Sequence, residues 1–168
     1  IGLDLASALA FAHRQGIVHR DLKPANVLHA GENRWKLADF GMATVYSGPT
    51  GRRMLTSPTG TRMYAAPEIL KGLPYDGEQV DVWSMGVVLY VMLVGDVPWS
   101  EASVGCDDFA DFLKRKRLPI FINNDAIDLL HAMLKVNPLE RISLAEINTF
   151  DWLTNPLSTP PSLSHPEQ

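Results

Sequence analysis

The chain has 168 residues, enough for one globular domain with a sizeable core or for part of a larger one. Its net charge of −4 favours neither a nucleic-acid-binding surface nor an acidic tail. The single cysteine, Cys106, excludes a disulfide framework within the chain and fits a reducing compartment.

The first predicted element is a helix that ends near Gly16. Apolar residues recur there at spacings of three and four, at Ile1, Leu5, Ala8, Leu9 and Ala12. Asp4 interrupts the apolar run and no basic segment precedes it, which argues against a signal peptide. We therefore expect the chain to begin inside or at the edge of a helix, as an excised fragment would.

Two short strands and a long loop are predicted next. Apolar runs at residues 27–29 and 35–38 are separated by a Gly-Glu-Asn-Arg turn, so a β-hairpin is the simplest interpretation. Residues 41–61 are rich in Gly, Ser, Thr, Pro and Arg and show no sustained period. A loop of this length inside a compact domain is more often functional than structural.

The remainder of the chain is predicted to be helical. Residues 82–95 are apolar on all sides but too short for a membrane span of about 20 residues, so we expect a helix buried in the core. Residues 106–117 begin with acidic and end with basic side chains, the order that a helix dipole favours. Asp125 can cap a further helix, and Ser143 with Glu146 forms a capping box for the last one.

The run HRDLKPAN at residues 19–26 sets a carboxylate beside a cation and an amide, which could be a solvated surface cluster or a phosphoryl-transfer centre. Phosphoryl transfer requires an oriented acceptor hydroxyl, a cation for the phosphate and oxygen ligands for Mg²⁺. Asp21 can accept the hydroxyl proton, and Lys23 can reach the transferring phosphate. Asn26 and Asp39 can offer oxygen ligands to a hard cation.

Three motifs in order carry a resemblance. HRDLKPAN at 19–26, DFG at 39–41 and APE at 66–68 resemble the signature of the carboxyl-terminal lobe of the eukaryotic protein kinases. The resemblance implies an α+β fold over residues 1–157, namely a mostly helical lobe with a short β-hairpin, followed by a disordered Pro/Ser-rich tail at 158–168. Only 18 residues precede His19, so the N-terminal β lobe of the family is expected to be absent.

The resemblance also implies ATP and Mg²⁺ as cofactors and assigns the site. The residues implied in catalysis are Asp21, Lys23, Asn26 and Thr61. Those implied in binding the nucleotide are Lys23, Asn26, Leu28 and Asp39, with Asn26 and Asp39 holding the metal. Three supporting contacts are expected: Asp81 to the backbone of the 19–26 loop, Arg141 to Glu68, and His19 packed under Phe40.

The acceptor class follows from two places in the sequence. Lys23, together with the run GTRMY before the APE motif, resembles the serine/threonine kinases, which implies Ser and Thr hydroxyls of protein substrates. Within that group the chain resembles the checkpoint kinases of the DNA-damage response, in the runs at residues 40–45, 80–84 and 95–99 and in the helix that follows Cys106. Ala25 and Val91 stand where kinases selecting basic substrates often carry Glu, so these two positions do not support a preference for basic substrates, and the sequence does not define the substrate preference.

Other interpretations stay open at this point. The chain could be a catalytically dead scaffold or binding module, a kinase of another calmodulin-kinase-like subfamily, or a small-molecule phosphotransferase. A kinase implies an intracellular protein, in the nucleus or the cytoplasm, with no direct nucleic-acid or membrane partner. Because the other lobe is expected to be missing, the chain alone is expected to be inactive.

Overall fold

The computed structural model describes residues 1–48, 51–115, 118, 124–147 and 149–154. Its helices are α1 (Gly2–Arg14), α2 (Pro67–Leu70), α3 (Gly77–Val94), α4 (Asp107–Arg115), α5 (Asn124–Met133), α6 (Leu144–Ile147) and α7 (Asp151–Thr154). Its strands are β1 (Ile17–Val18), β2 (Val27–His29), β3 (Trp35–Leu37), β4 (Thr44–Val45), β5 (Ser47–Gly48) and β6 (Gly51–Arg52). This mostly helical structure with short strands agrees with the predicted α+β class.

The strands form two-stranded antiparallel sheets in the order β1–β4, β2–β3 and β5–β6. The predicted hairpin is confirmed: Val27 pairs with Leu37 and His29 with Trp35. The expectation of a long structureless loop at residues 41–61 was wrong in part, because this segment contains β4, β5 and β6 and pairs Leu55 with Tyr75. Strands of two residues are too short to produce a hydrophobic period, so the sequence pattern could not reveal them.

Helix α3 is the centre of the core. Asp76 caps its start by accepting hydrogen bonds from the backbone N–H groups of Glu78 and Gln79, and Gly95 ends it in a left-handed conformation with φ of 86°. Its length and apolar composition alone would allow it to cross a membrane, but 67% of it is buried inside the structure. The predicted core helix at 82–95 is confirmed, with a start five residues earlier at Gly77.

Helices α1, α4 and α5 pack against α3, while α6 and α7 pack against α1. Trp83 of α3 lies 5.7 Å from Trp99 and 6.3 Å from Phe109 between ring centres, which joins α4 to the central helix. The predicted helix at 106–117 is present as α4, and residues 116 and 117 lie outside the described part of the chain.

Two predicted helix starts have different outcomes. Helix α5 begins at Asn124, so Asp125 lies inside its first turn and not at the N-cap position before it, and the expectation that Asp125 caps the helix was wrong. The capping box is confirmed: Glu146 Oε2 accepts from the Ser143 N–H at 2.9 Å, and the Glu146 N–H donates to Ser143 Oγ at 3.3 Å. The predicted tail at 158–168 lies outside the described residues.

Candidate active site

A buried carboxylate of α3 fixes the backbone of the 19–26 loop. Asp81 is fully buried, and it accepts hydrogen bonds from the backbone N–H groups of His19 and Arg20, each at 2.8 Å. His13 Nε2 lies 2.8 Å from the same carboxylate. These contacts satisfy a charge that would otherwise be costly to bury, and they hold Arg20 at a φ of 67°, which non-glycine residues rarely adopt. The expected contact between Asp81 and this loop is confirmed.

Asp21 has three hydrogen-bond donors around its carboxylate. Lys23 Nζ lies 2.6 Å from Oδ2, and the backbone N–H and hydroxyl of Thr61 lie 2.9 Å and 2.8 Å from Oδ1. Burial acts to raise the pKa of Asp21, but the hydrogen bonds from Lys23 and Thr61 outweigh it and hold the pKa below its ordinary value. Asp21 is therefore ionised at neutral pH and can accept a proton.

Lys23 places a cation at the centre of this group. Its Nζ donates to Asp21 and also to Thr61 Oγ1 at 3.2 Å. The hydrogen bond to Asp21 raises the pKa of Lys23, and the negative charge of Asp39 acts in the same direction. The amine therefore stays protonated. It lies near Asp21, Thr61 and Asp39, where its positive charge would attract an anionic phosphate.

Asn26 and Asp39 lie on the two chain segments at the open end of the β2–β3 hairpin. Because Val27 pairs with Leu37, Asn26 faces Ala38, whose N–H donates to the Asn26 carbonyl oxygen at 2.9 Å. The side-chain nitrogen of Asn26 donates to the Asp21 carbonyl oxygen at 2.9 Å, which leaves the amide oxygen for another partner.

The donor set at this end of the hairpin fits Mg²⁺. Asp39 is exposed, and one of its oxygens accepts from the Gly41 N–H at 3.1 Å, while the other has no hydrogen-bond partner among the described residues. A carboxylate and an amide oxygen are hard ligands of the kind that Mg²⁺ prefers, with waters and phosphates completing the shell. Within the described residues no cluster of three His, Cys, Asp or Glu side chains offers a competing metal site.

Gly60 brings the acceptor segment, residues 60–68, against the 19–26 loop. Its φ is 96°, and a Cβ at this position would lie 2.4 Å from the carbonyl oxygen of Arg20. Only glycine permits this close approach of two backbones, which sets Thr61 beside Asp21. The sequence signal was present in the GTRMY run, but the specific need for Gly60 was not predicted.

His19 and Leu28 have opposite environments. His19 is fully buried, its Nε2 lies 3.0 Å from the Ala38 carbonyl oxygen, and its ring contacts Phe40 edge-on at 4.8 Å between ring centres. The prediction of a packed histidine under Phe40 is confirmed. Leu28 is 52% exposed, so a side chain expected under a nucleotide base presents apolar surface to solvent on this face.

Comparison with known proteins now adds to this geometry. Residues 1–153 match the protein kinase domain. The chain belongs to the protein kinase domain family. Several curated relatives are serine/threonine-protein kinases, which supports the predicted similarity to that class.

Three relatives illustrate this similarity. The serine/threonine-protein kinase chk1 of Schizosaccharomyces pombe is 37% identical over 93% of this chain and 32% of its own length. The serine/threonine-protein kinase CHK1 of Mycosarcoma maydis is 40% identical over 88% of this chain and 23% of its own length. The CBL-interacting serine/threonine-protein kinase 7 of Arabidopsis thaliana is 36% identical over 92% of this chain and 36% of its own length. The chain thus spans only 23% to 36% of the length of these relatives.

The acceptor segment of the kinase domain is also anchored at its far end. Glu68 accepts two hydrogen bonds from Arg141, at 2.6 Å and 2.7 Å, and both side chains are buried. Arg141 also donates to the carbonyl oxygen of Lys135 at 2.7 Å and lies over the Trp83 ring at 4.9 Å. The expected ion pair is confirmed, and its extra contacts to Lys135 and Trp83 were not predicted.

Proposed function

We propose that this kinase domain transfers the γ-phosphoryl group of ATP to serine and threonine hydroxyls of protein substrates. The observation that carries the proposal is the Asp21 carboxylate held within 3.0 Å of Lys23 Nζ and of both donor groups of Thr61. This arrangement supplies a proton acceptor, a cation and a hydroxyl contact in one place, which are the protein groups that phosphoryl transfer needs.

Asp21 acts on the acceptor. Its ionised carboxylate orients the substrate hydroxyl and accepts the proton as the hydroxyl oxygen bonds to phosphorus and the bond to ADP breaks. Thr61 holds the carboxylate in position through its backbone N–H and its hydroxyl. Lys23 offsets the negative charge of the phosphoryl group. This interaction strengthens in the transition state, where the phosphorus lies between the acceptor oxygen and the leaving oxygen of ADP.

Asn26 and Asp39 hold the metal in this proposal, and Leu28 lies against the nucleotide base. When bound, Mg²⁺ neutralises phosphate charge and aligns the phosphates with the acceptor. The hydrogen bond from the Asn26 side-chain nitrogen to the Asp21 carbonyl oxygen orients the amide without using its oxygen. The turn at Asp39–Gly41 fixes the carboxylate at the end of β3.

The exposure of Leu28, Phe40 and Met42 supports a second structural unit over this face. These side chains are 52%, 45% and 51% exposed, and a ligand or a second unit packed against them would bury their apolar surface. We propose that residues 1–157 act as one lobe of a two-lobed kinase and that this lobe alone binds Mg·ATP weakly and transfers no phosphate. Calorimetric titration of the 168-residue chain with Mg·ATP tests this, and micromolar binding would show that a second lobe is dispensable.

The central test uses Asp21→Asn in the full-length protein. We expect kcat for serine and threonine peptides to fall about 10³-fold, because the proton acceptor is lost, while nucleotide affinity changes little. Asp111→Asn is the matched control, since Asp111 forms an exposed ion pair with Arg115 on α4, and it should keep normal turnover. Wild-type turnover by Asp21→Asn would refute the role of Asp21. Absence of transfer by the wild-type protein would favour a scaffold.

We also propose an intracellular checkpoint role. Two relatives carry the names chk1 and CHK1, at 37% and 40% identity, and they support this assignment. The relative named ppk25 in Schizosaccharomyces pombe is 42% identical, so identity alone does not separate the subfamilies. In cells of the source organism, Asp21→Asn should delay cell-cycle arrest after DNA damage, and normal arrest in that strain would refute the checkpoint role.

A further inference from the structure

Arg62 lies immediately beside the proposed transfer site. It follows Thr61 in the chain and opens a 3-10 turn, Arg62–Tyr64, at the start of the acceptor segment. Because Thr61 contacts Asp21 through its backbone and its side chain, Arg62 follows directly after a residue that contacts the proposed proton acceptor. Arg62 also lines an open depression of about 230 Å³, with Pro58, Thr59, Gly60, Ala65, Ile69 and Leu70.

The guanidinium of Arg62 is held in place from one side only. Its Nε donates to Glu101 Oε2 at 2.9 Å, and Nη2 donates to the same oxygen. In the part of the chain that the structure describes, Nη1 has no hydrogen-bond partner. An arginine has five N–H donors in a planar fork, so this guanidinium can receive a second carboxylate without releasing Glu101.

In this ion pair the cationic side chain is more exposed than the anionic one. Arg62 is 72% exposed, whereas Glu101 is 27% exposed. The second oxygen of Glu101 accepts a hydrogen bond from Ser103 Oγ at 2.6 Å, so both carboxylate oxygens are engaged. The hydrogen bonds from Ser103 and Arg62 lower the pKa of Glu101 and keep it ionised. A substrate side chain approaching the pair therefore meets the cation first.

We propose that Arg62 makes the kinase prefer protein substrates with an aspartate or glutamate within two residues of the acceptor hydroxyl, and that Glu101 positions its guanidinium. This inference rests on the proposed transfer to serine and threonine. An extended peptide advances about 3.3 Å per residue, which places the neighbours of the acceptor within reach of a side chain one residue from Thr61. Arg62 is a specificity-determining residue in this proposal and has no part in the chemical step.

The test measures kcat/KM of the full-length protein on a matched set of peptides. Each peptide carries one serine acceptor. In each peptide, one of the four positions within two residues of that serine is occupied by Asp, Ala or Lys. At one or more of these positions we expect Asp to exceed Lys by about fivefold, the scale of one exposed charge pair, with the difference residing in KM. The ratio should fall as salt is raised, because exposed charges are screened.

Variants then test separately the charge of Arg62, the shape of its guanidinium and the role of Glu101. Arg62→Gln should bring the Asp-to-Lys ratio to about one, and Arg62→Lys should restore part of it, since a charge is returned without the fork. Arg115→Gln removes another exposed arginine that pairs with an aspartate, and it should keep the wild-type ratio. Glu101→Gln keeps an oxygen that can accept from Arg62 and should preserve the acidic preference, whereas Glu101→Ala removes the positioning contact and should weaken that preference. Thermal melting confirms that each variant is folded.

The outcomes distinguish this proposal from the proposed function. If the wild-type protein phosphorylates none of the peptides, the proposed function fails and the role of Arg62 fails with it. If the wild-type protein phosphorylates them with equal efficiency, or if Arg62→Gln keeps the acidic preference, transfer stands and the role of Arg62 is wrong. A preference that reverses toward Lys would show that Glu101, and not Arg62, faces the substrate.

Discussion

Three carboxylates in this chain pair with a cation at the same distance and do different things. Asp21 to Lys23, Glu68 to Arg141 and Asp111 to Arg115 each show a closest contact of 2.6 Å. The first pair is partly exposed and faces the proposed transfer site, the second is buried, and the third lies on the surface of α4. The N–O distance therefore does not decide whether an ion pair contributes to stability or to chemistry. Its burial and the other hydrogen bonds of its two side chains decide this.

The difference between the first two pairs lies in their freedom to change partners. Lys23 has one compact ammonium group, 27% exposed, that can turn from Asp21 to a phosphate without breaking the fold. Arg141 is fully buried and engages both oxygens of Glu68, so its geometry is fixed by two parallel hydrogen bonds. One pair is suited to chemistry and the other to holding the acceptor segment.

The largest expected effect would come from breaking the buried pair. Arg141→Met leaves Glu68 as an uncompensated buried charge, so the free energy of unfolding should fall by about 3 to 5 kcal/mol. Arg115→Met, at the exposed pair with the same contact distance, should cost less than about 1 kcal/mol. Chemical denaturation of both variants gives the comparison. Equal losses would mean that burial does not separate these two pairs.

An intermediate effect is expected at Thr61, which connects the proposed catalytic group to the acceptor segment. Thr61→Val removes the hydroxyl that contacts Asp21 and Lys23 but keeps the backbone N–H bond to Asp21. We expect kcat/KM of the full-length protein to fall about tenfold, the scale of one hydrogen bond to a charged group. Thr61→Ser keeps the hydroxyl and should stay close to wild type. A large loss of stability in Thr61→Val, with no specific effect on kcat/KM, would make the residue structural.

Local patterns explain how much could be predicted from the sequence. The hairpin, the capping box and the HRDLKPAN loop each depend on residues fewer than about ten positions apart, where turn and capping preferences act directly. The resemblance to protein kinases allowed two long-range contacts to be predicted as well. These are the contact of Asp81 with the 19–26 loop and the pair of Glu68 with Arg141, which are 73 positions apart.

Contacts that depend on tertiary packing were not predicted. Arg62 and Glu101 are 39 positions apart, and Tyr46, which donates to Glu78, is 32 positions away from it. Neither pair has a local signature, because each meets only after the acceptor segment and the 41–61 segment fold against α3. The pairing of β1 with β4 is likewise long-range, whereas β5 and β6 lie next to each other in the chain and were missed because two-residue strands show no hydrophobic period.

The smallest expected effect concerns pH and the Asp21–Lys23 pair. Although burial acts to raise it, the hydrogen bonds from Lys23 and Thr61 hold the pKa of Asp21 below its ordinary value of 3.8. A carboxyl with a lowered pKa in the folded state stabilises the protein above its unfolded pKa, and this stabilisation is lost as the pH falls through the folded pKa. The difference in free energy of unfolding between the wild-type protein and Asp21→Asn should therefore be constant between about pH 5 and 8 and should change only below about pH 4. Denaturation at a series of pH values measures this difference in free energy of unfolding. If the difference varied between pH 5 and 8, Asp21 would titrate in the neutral range. It could then not serve as a permanently ionised proton acceptor.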